Sequence, residues 1–222
     1  VPVIHVSADL GAVAPAVDRK SAEICGKRRW GKHKQSVLKY WDGLEEFFKR
    51  MDARNLKIYQ DGLMAGGELG RRIIEEGAGR GSRNHEIVLD LIQRGAQLRK
   101  TEDAGLLKQE YEQILEMAQQ SSAWERTVAP VGGEFGRDRL LKKRDRFIAE
   151  TINETLLADE TGVLFMGAFH DVISQLTPDI EIEAIKQREK VAAYFRCLIS
   201  GGDEKTFDRL AAYLTRPPMI ND

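Results

Sequence analysis

The run Val163-Leu164-Phe165-Met166-Gly167-Ala168-Phe169 contains no polar side chain, and Gly162 and the pair His170–Asp171 bound it. It is too short for a helix buried all round, which needs roughly ten residues or more. A short continuous apolar run between turn signals fits a strand covered on both faces. Such strands belong to parallel sheets, because parallel connections cross over and lay helices on the sheet. This one feature therefore points to an α/β fold: a mainly parallel sheet of about four or five strands with helices on both faces.

The rest of the chain alternates in the way that fold requires. Val1–Val6, Leu56–Gln60 and Ala96–Thr101 read as further strands, and Pro178–Ile185 as a short alternating one. Ser36–Met51 reads as a helix with Leu38, Trp41, Leu44 and Phe48 on one face. Ser82 reads as the N-cap of a helix whose stripe is Ile87, Val88, Leu91 and Ile92, with Gly95 as its stop. Leu107, Tyr111, Ile114, Leu115 and Ala118 share a helical face, and Ser121–Gly136, with Pro130 and three glycines, reads as a loop. A helix from about Asp138 to Leu157 turns Phe147, Ile148, Ile152 and Leu156 inward, and residues 186–216 hold two closing helices. With 222 residues, a single α/β domain over 1–222 has enough chain to bury a core.

Charge and cysteine content narrow the function classes. Lys plus Arg (34) nearly cancels Asp plus Glu (35), a net charge of −1, so nucleic acid is disfavoured as a partner. Cys25 and Cys197 form neither a disulfide framework nor a CxxC site, and a reducing cytoplasm is the simplest setting. The apolar part of VPVIHVSADLG is short for a signal peptide, and no window approaches the ~20 apolar residues of a membrane span. The basic cluster Gly26–Lys34 reads as a solvated loop before a helix, or else as an anion-binding surface. His33 and His85 read as surface residues. Oligomeric state is not legible.

Ligands of open parallel sheets bind at the carboxyl ends of the strands. Just past the strands stand His5 and Asp9, Asp61, Glu102, and His170 with Asp171. If the chain stays extended after the first strand, His5 and Asp9 share a face. Two imidazoles and several carboxylates at one edge make a ligand set for Zn²⁺, Mn²⁺ or Fe²⁺, and equally an acid/base set. On the metal reading His5, Asp9, His170 and Asp171 supply ligands, a bound water is acidified towards ~7, and Asp61 or Glu102 acts as base. The glycines of Asp61–Ile73 and Gly77–Asn84 match neither GxGxxG nor a P-loop; turns and close helix packing explain them, while Arg80 and Arg83 leave room for an anion.

Gly167–His170, GAFH at the end of an apolar strand, resembles the Gly-x-x-His motif of the TraB/Tiki, ChaN and erythromycin-esterase-like superfamily. The preceding KKRDRFIAETINETL (Lys142–Leu156) is similar to that family's helix of pattern R-[ND]-x-x-[IM]-A-x-x-I, and VIHVSAD to its opening strand. Pro2 stands where that opening motif has Gly, and the Gly-Glu-x-x-His form of some relatives is missing. The resemblance implies an α/β fold with a site on one sheet edge, formed by His5 and His170 with Arg144 or Arg146 close by. Relatives include metal-dependent proteases, macrolide esterases and haem binders. The expectation is thus a metal-dependent hydrolase acting on a small molecule or peptide. The alternatives are a binding module holding a small anionic metabolite or nucleotide with Arg80, Arg83 and Arg144, or an interaction protein without chemistry.

Overall fold

The computed structural model describes residues 1–109, 112 and 135–219. Four strands, β1 (Pro2–Val3), β2 (Leu56–Gln60), β3 (Gln97–Arg99) and β4 (Thr161–Gly167), form one parallel sheet in the order β1-β4-β2-β3. β4 lies inside it: Ile58 registers with Val163 and Gln60 with Phe165, while Pro2 registers with Met166 on the other side. The expected α/β fold is the observed one.

The helices are α1 (Ala14–Cys25), α2 (Lys27–Lys49), α3 (Gly67–Gly79), α4 (Arg83–Gln93), α5 (Phe135–Thr155), α6 (Arg188–Ser200) and α7 (Glu204–Thr215), and residues 104–109 are also helical. They cover the sheet unequally. Val163 and Phe165 of β4 join the larger core with Trp41, Leu44, Val88, Tyr194 and Phe207 from α2, α4, α6 and α7. Met166, Tyr59 and Val172 join a smaller core with Ile148, Ala149 and Ile152 of α5. Successive side chains of a strand point to opposite faces, so the apolar run of β4 serves both cores. At ~1.5–3 kcal/mol per buried large apolar side chain, that strand is the common anchor of the two layers.

Several local expectations change. β1 is two residues long, and only Ile4, His5 and Val6 separate it from a 3-10 segment (Ser7–Val13). α2 fastens β1 by side-chain hydrogen bonds: the Tyr40 hydroxyl donates to the Pro2 carbonyl (2.5 Å) and the Trp41 indole to that of Ile4 (2.8 Å). The basic cluster is not a loop. Gly26, at φ 82°, breaks α1 from α2, and Lys27 already belongs to α2. Three of its cations find partners elsewhere in the chain: Lys34, with the Trp30 indole, meets Asp18, Lys32 meets Asp208, and Arg29 reaches the carbonyls of Cys197 and Gly202. His33 is buried rather than on the surface, its Nδ1 2.9 Å from the Tyr194 hydroxyl. Val37, not the half-exposed Leu38, faces the core of α2.

Pro178–Ile185 is not a strand but irregular chain, with Ile182 exposed; alternation alone does not make a strand where no sheet edge meets it. Ser82 does cap α4, accepting from the His85 N–H, and Gly95 follows the helix end at φ 111°. Gly70 lies where a Cβ would stand 2.3 Å from the Ala65 carbonyl, so close packing explains this part of the glycine-rich stretch. Phe135 and Gly136 open α5; the rest of the expected loop, and Tyr111, Ile114, Leu115 and Ala118, lie outside the described residues.

Candidate functional site

The carboxyl ends of β2, β3 and β4 meet the inner face of α5. Asp61 extends the ladder by one bond, its N–H donating to the Phe165 carbonyl (2.9 Å). The chain then turns at Gly62 (φ 79°), and the Leu63 carbonyl accepts from both Thr101 and Glu102. Glu102 is thereby held fully buried beside Asp61. Arg144 of α5 bridges the two carboxylates: Nη2 lies 2.8 Å from Asp61 Oδ1 and 2.5 Å from Glu102 Oε1, and Nε 3.1 Å from Glu102 Oε2. A guanidinium fork suits this double task in a way a lysine cannot.

The next residue of α5 orients the histidine. Asp145 Oδ1 is 2.5 Å from His170 Nδ1, and Asp145 Oδ2 accepts the Asp171 backbone N–H at 2.9 Å. The other ring nitrogen, Nε2, lies 3.5 Å from Asp61 Oδ2. Asp61 Oδ2 also sits 3.4 Å from the Gly167 N–H. A Cβ at Gly167 would stand 3.3 Å from His170 Cδ2 and 3.7 Å from Asp61 Oδ2, so glycine leaves the room that this contact needs. The site is one connected set: Glu102, Arg144, Asp61, His170, Asp145.

Its electrostatics separate the members. Burial alone would lower His170, but the hydrogen bond to Asp145 and the charges of Asp61 and Asp145 carry its pKa above 6.5. Burial alone would raise Asp61; the charges of His170 and Arg144 and the Gly167 N–H hold it below the usual carboxylate range instead. Glu102 goes the other way: burial and the neighbouring Asp61 raise it despite Arg144. His170 is thus biased to carry a proton and Asp61 to lack one. Two titratable neighbours pushed apart in this way are what acid/base chemistry uses.

His170, Gly167 and Met166 also line a cleft of about 910 Å³ between β4 and the irregular segment after it. Its walls include Phe47, Leu156 and Ile180, and its rim Glu160, Glu181 and Glu183. That volume lies within the range of small-molecule sites.

The sequence-derived candidates divide. Asp61, Glu102, Arg144 and His170 come together; Arg146 points outward and is exposed. His5 and Asp9 form a separate group. The chain turns into the 3-10 segment that starts at Ser7 instead of staying extended, and this brings His5 Nδ1 to 3.5 Å from Asp9 Oδ2. Asp9 hydrogen-bonds Ser82, whose Oγ is 2.7 Å from His85 Nδ1, so His85 is not a free surface residue. The Asp171 side chain turns to Arg188 (3.2 Å) and Ser174 (3.0 Å). Arg83 pairs with Asp42, Glu45 and Glu86, and Arg80 is exposed at the end of α3. Among the described residues no group of three or more His, Cys, Asp or Glu side chains is placed to hold a metal ion.

Asp145 is the member that sequence reasoning missed. Its signal was present: extending the apolar stripe Ile148–Ile152 back by one turn lands on Arg144 and Asp145, so two charges occupy core-facing positions. Compared with family models the chain matches none, and neither the curated proteins nor the solved structures yield a match.

Proposed function

We propose that the protein is a hydrolase whose acid/base pair is Asp61 and His170. The observation that carries this reading is the His170 ring, fixed by Asp145 on one nitrogen and facing Asp61 with the other, at the wall of the cleft. A water oxygen would bond to the acyl carbon of an ester or amide while its proton passes to Asp61. The bond to the leaving oxygen or nitrogen breaks as that atom takes the proton of His170. Arg144 keeps Asp61 ionised and aimed, and Glu102, whose pKa burial and Asp61 push upwards, holds the guanidinium in place from its other side.

The metal expectation meets a ligand set that does not converge: His5 and Asp9 pair with each other, Asp171 with Arg188, and both nitrogens of His170 face carboxylates. No step is therefore assigned to a metal. The resemblance of GAFH and the Arg144 helix to the TraB/Tiki-like superfamily agrees with a hydrolytic site on this edge. A small molecule or peptide is the substrate class that the cleft suits. Free Cys25 and Cys197 fit a cytoplasmic setting, and among the described residues no helix is long and apolar enough to cross a membrane.

A panel of ester, amide and peptide substrates tests the proposal with wild type, His170→Gln and Asp61→Asn. The expected result is activity lost by two orders of magnitude or more in both variants, on the scale of one proton-transfer group, and retained in chelator. Activity that survives His170→Gln overturns the assignment. Activity that chelator abolishes and Zn²⁺ or Mn²⁺ restores would return the site to metal chemistry.

A further inference from the structure

α5 carries charge on two faces. Arg144 and Asp145 turn inward, whereas Arg139, Lys142, Lys143 and Arg146 are all exposed on the outer face. Steps of three and four residues stack these four on one stripe, where like charges repel and weaken a helix. Several surface cations elsewhere are paired: Arg71 with Glu75, Lys49 with Glu45, Arg54 with Asp52, Arg94 with Asp90. None of the four on α5 is in an ion pair among the described residues. In a chain of net charge −1 this is local segregation, not a general excess of base.

The stripe lines a cleft of about 460 Å³, closed on the other side by Asp103 and Leu106. Asp103 Oδ1 accepts the N–H groups of Gly105 and Leu106, so its charge is partly engaged. Phe147 lines the same cleft, with the Lys100 ammonium 5.5 Å from its ring centroid. Glu150 lines the cleft too, so four cations face two carboxylates around a concave space with an aromatic wall; that excess suits a ligand that concentrates negative charge and offers a flat or apolar part.

We propose that this cleft binds a phosphorylated small molecule, such as a nucleotide or another phosphate ester, at a site separate from His170 on the opposite face of α5. Phosphoryl oxygens match two arginine forks and two lysine point charges. The volume is that of a small-molecule pocket, and the stripe is too short to follow a nucleic-acid backbone. The inference does not depend on hydrolysis at His170.

Isothermal titration of the whole chain with inorganic tripolyphosphate and with ATP tests it, in low and moderate salt. The expected result is saturable binding that weakens with salt, falls about tenfold or more in Lys142→Ala/Arg146→Ala, and is unchanged in Arg71→Ala. With no ligand, the double variant should melt at the same temperature as wild type or higher, since it relieves repulsion, so a lost fold cannot imitate lost binding. Failure of both ligands to bind at up to about 1 mM, or binding that the double variant leaves unchanged, overturns the proposal. So does binding to single-stranded RNA or to phosphoinositide vesicles that is tighter than to ATP and lost in the same variant.

Discussion

His170 and His33 are both buried, yet their surroundings drive them to opposite charge. His170 lies between Asp145 and Asp61, and its pKa rises above 6.5. His33 lies among Trp30, Tyr194 and Phe195 with the Tyr194 hydroxyl as its hydrogen-bond partner, and burial brings its pKa down to about 4. Burial by itself expels the proton; a carboxylate in contact reverses the outcome. In the proposed hydrolysis the first ring gives up its proton to the leaving group. The second ties α2 to α6 and does nothing else visible.

The strongest way to break the contrast is to remove the carboxylate. Asp145→Ala should leave a buried imidazole beside Arg144 and cost about 3–5 kcal/mol of stability. In the milder Asp145→Asn the histidine should titrate nearer to His33, as measured by the ring-proton shifts of His170. A His170 pKa that stays above 6.5 in Asp145→Asn would show that Asp61 alone sets its charge.

Next in size is acid. The folded pKa of His33 is depressed, so below 6.5 the unfolded state takes up a proton that the folded state refuses. Stability from this group is present at neutral pH and is lost as pH falls from 6.5 towards about 4. Between pH 7 and 5 the loss is about 2 kcal/mol. Urea titrations of wild type and His33→Gln should therefore converge on acidification. Parallel curves would mean that His33 is already charged in the fold.

His170 has the opposite sign. Its raised folded pKa adds stability that is full below 6.5 and is lost as pH rises through the folded value. Activity that needs His170 protonated should fall over the same alkaline range, while ionised Asp61, with its lowered pKa, sets no limit until well into acid. Asp145→Asn should move the alkaline limb of kcat/KM downwards.

Gly167→Ala probes the spacing rather than the charge. The added Cβ presses on His170 Cδ2 and should cost about 1–3 kcal/mol, as overpacking does. Activity should drop by more than the stability loss explains. The smallest effect should come from Arg83→Ala, about 1 kcal/mol or less for a surface cluster, with activity unchanged.

Much of this was legible from residue order. The apolar run of β4 implied two-sided cover, and strand ends in a parallel sheet implied Asp61, Glu102 and His170. Helical spacing already held Asp145, but a charge on a core stripe is easily assigned to solvent when its partner lies 25 positions away. His33 was misread for a related reason: the cations around it suggested solvent, and their partners, Asp18, Asp208 and the end of α6, are remote in sequence. Asp171 was overvalued because adjacency to His170 says nothing about side-chain direction.

Arg29 reaches the carbonyls of Cys197 and Gly202, 168 and 173 positions further along, and its charge lies over the Phe207 ring. The bulkiest layer of the molecule is therefore stitched from the two extremes of the chain. Contacts of such separation are closed late, since their loop entropy is spent before they return anything. During synthesis the apolar side of α2, with Trp41 and Leu44, has to wait for α6 and α7 to leave the ribosome. A chain cut after Gln187 should expose that surface and aggregate, whereas the intact chain should show its slowest folding phase at the docking of α6 and α7, readable by hydrogen exchange in α2.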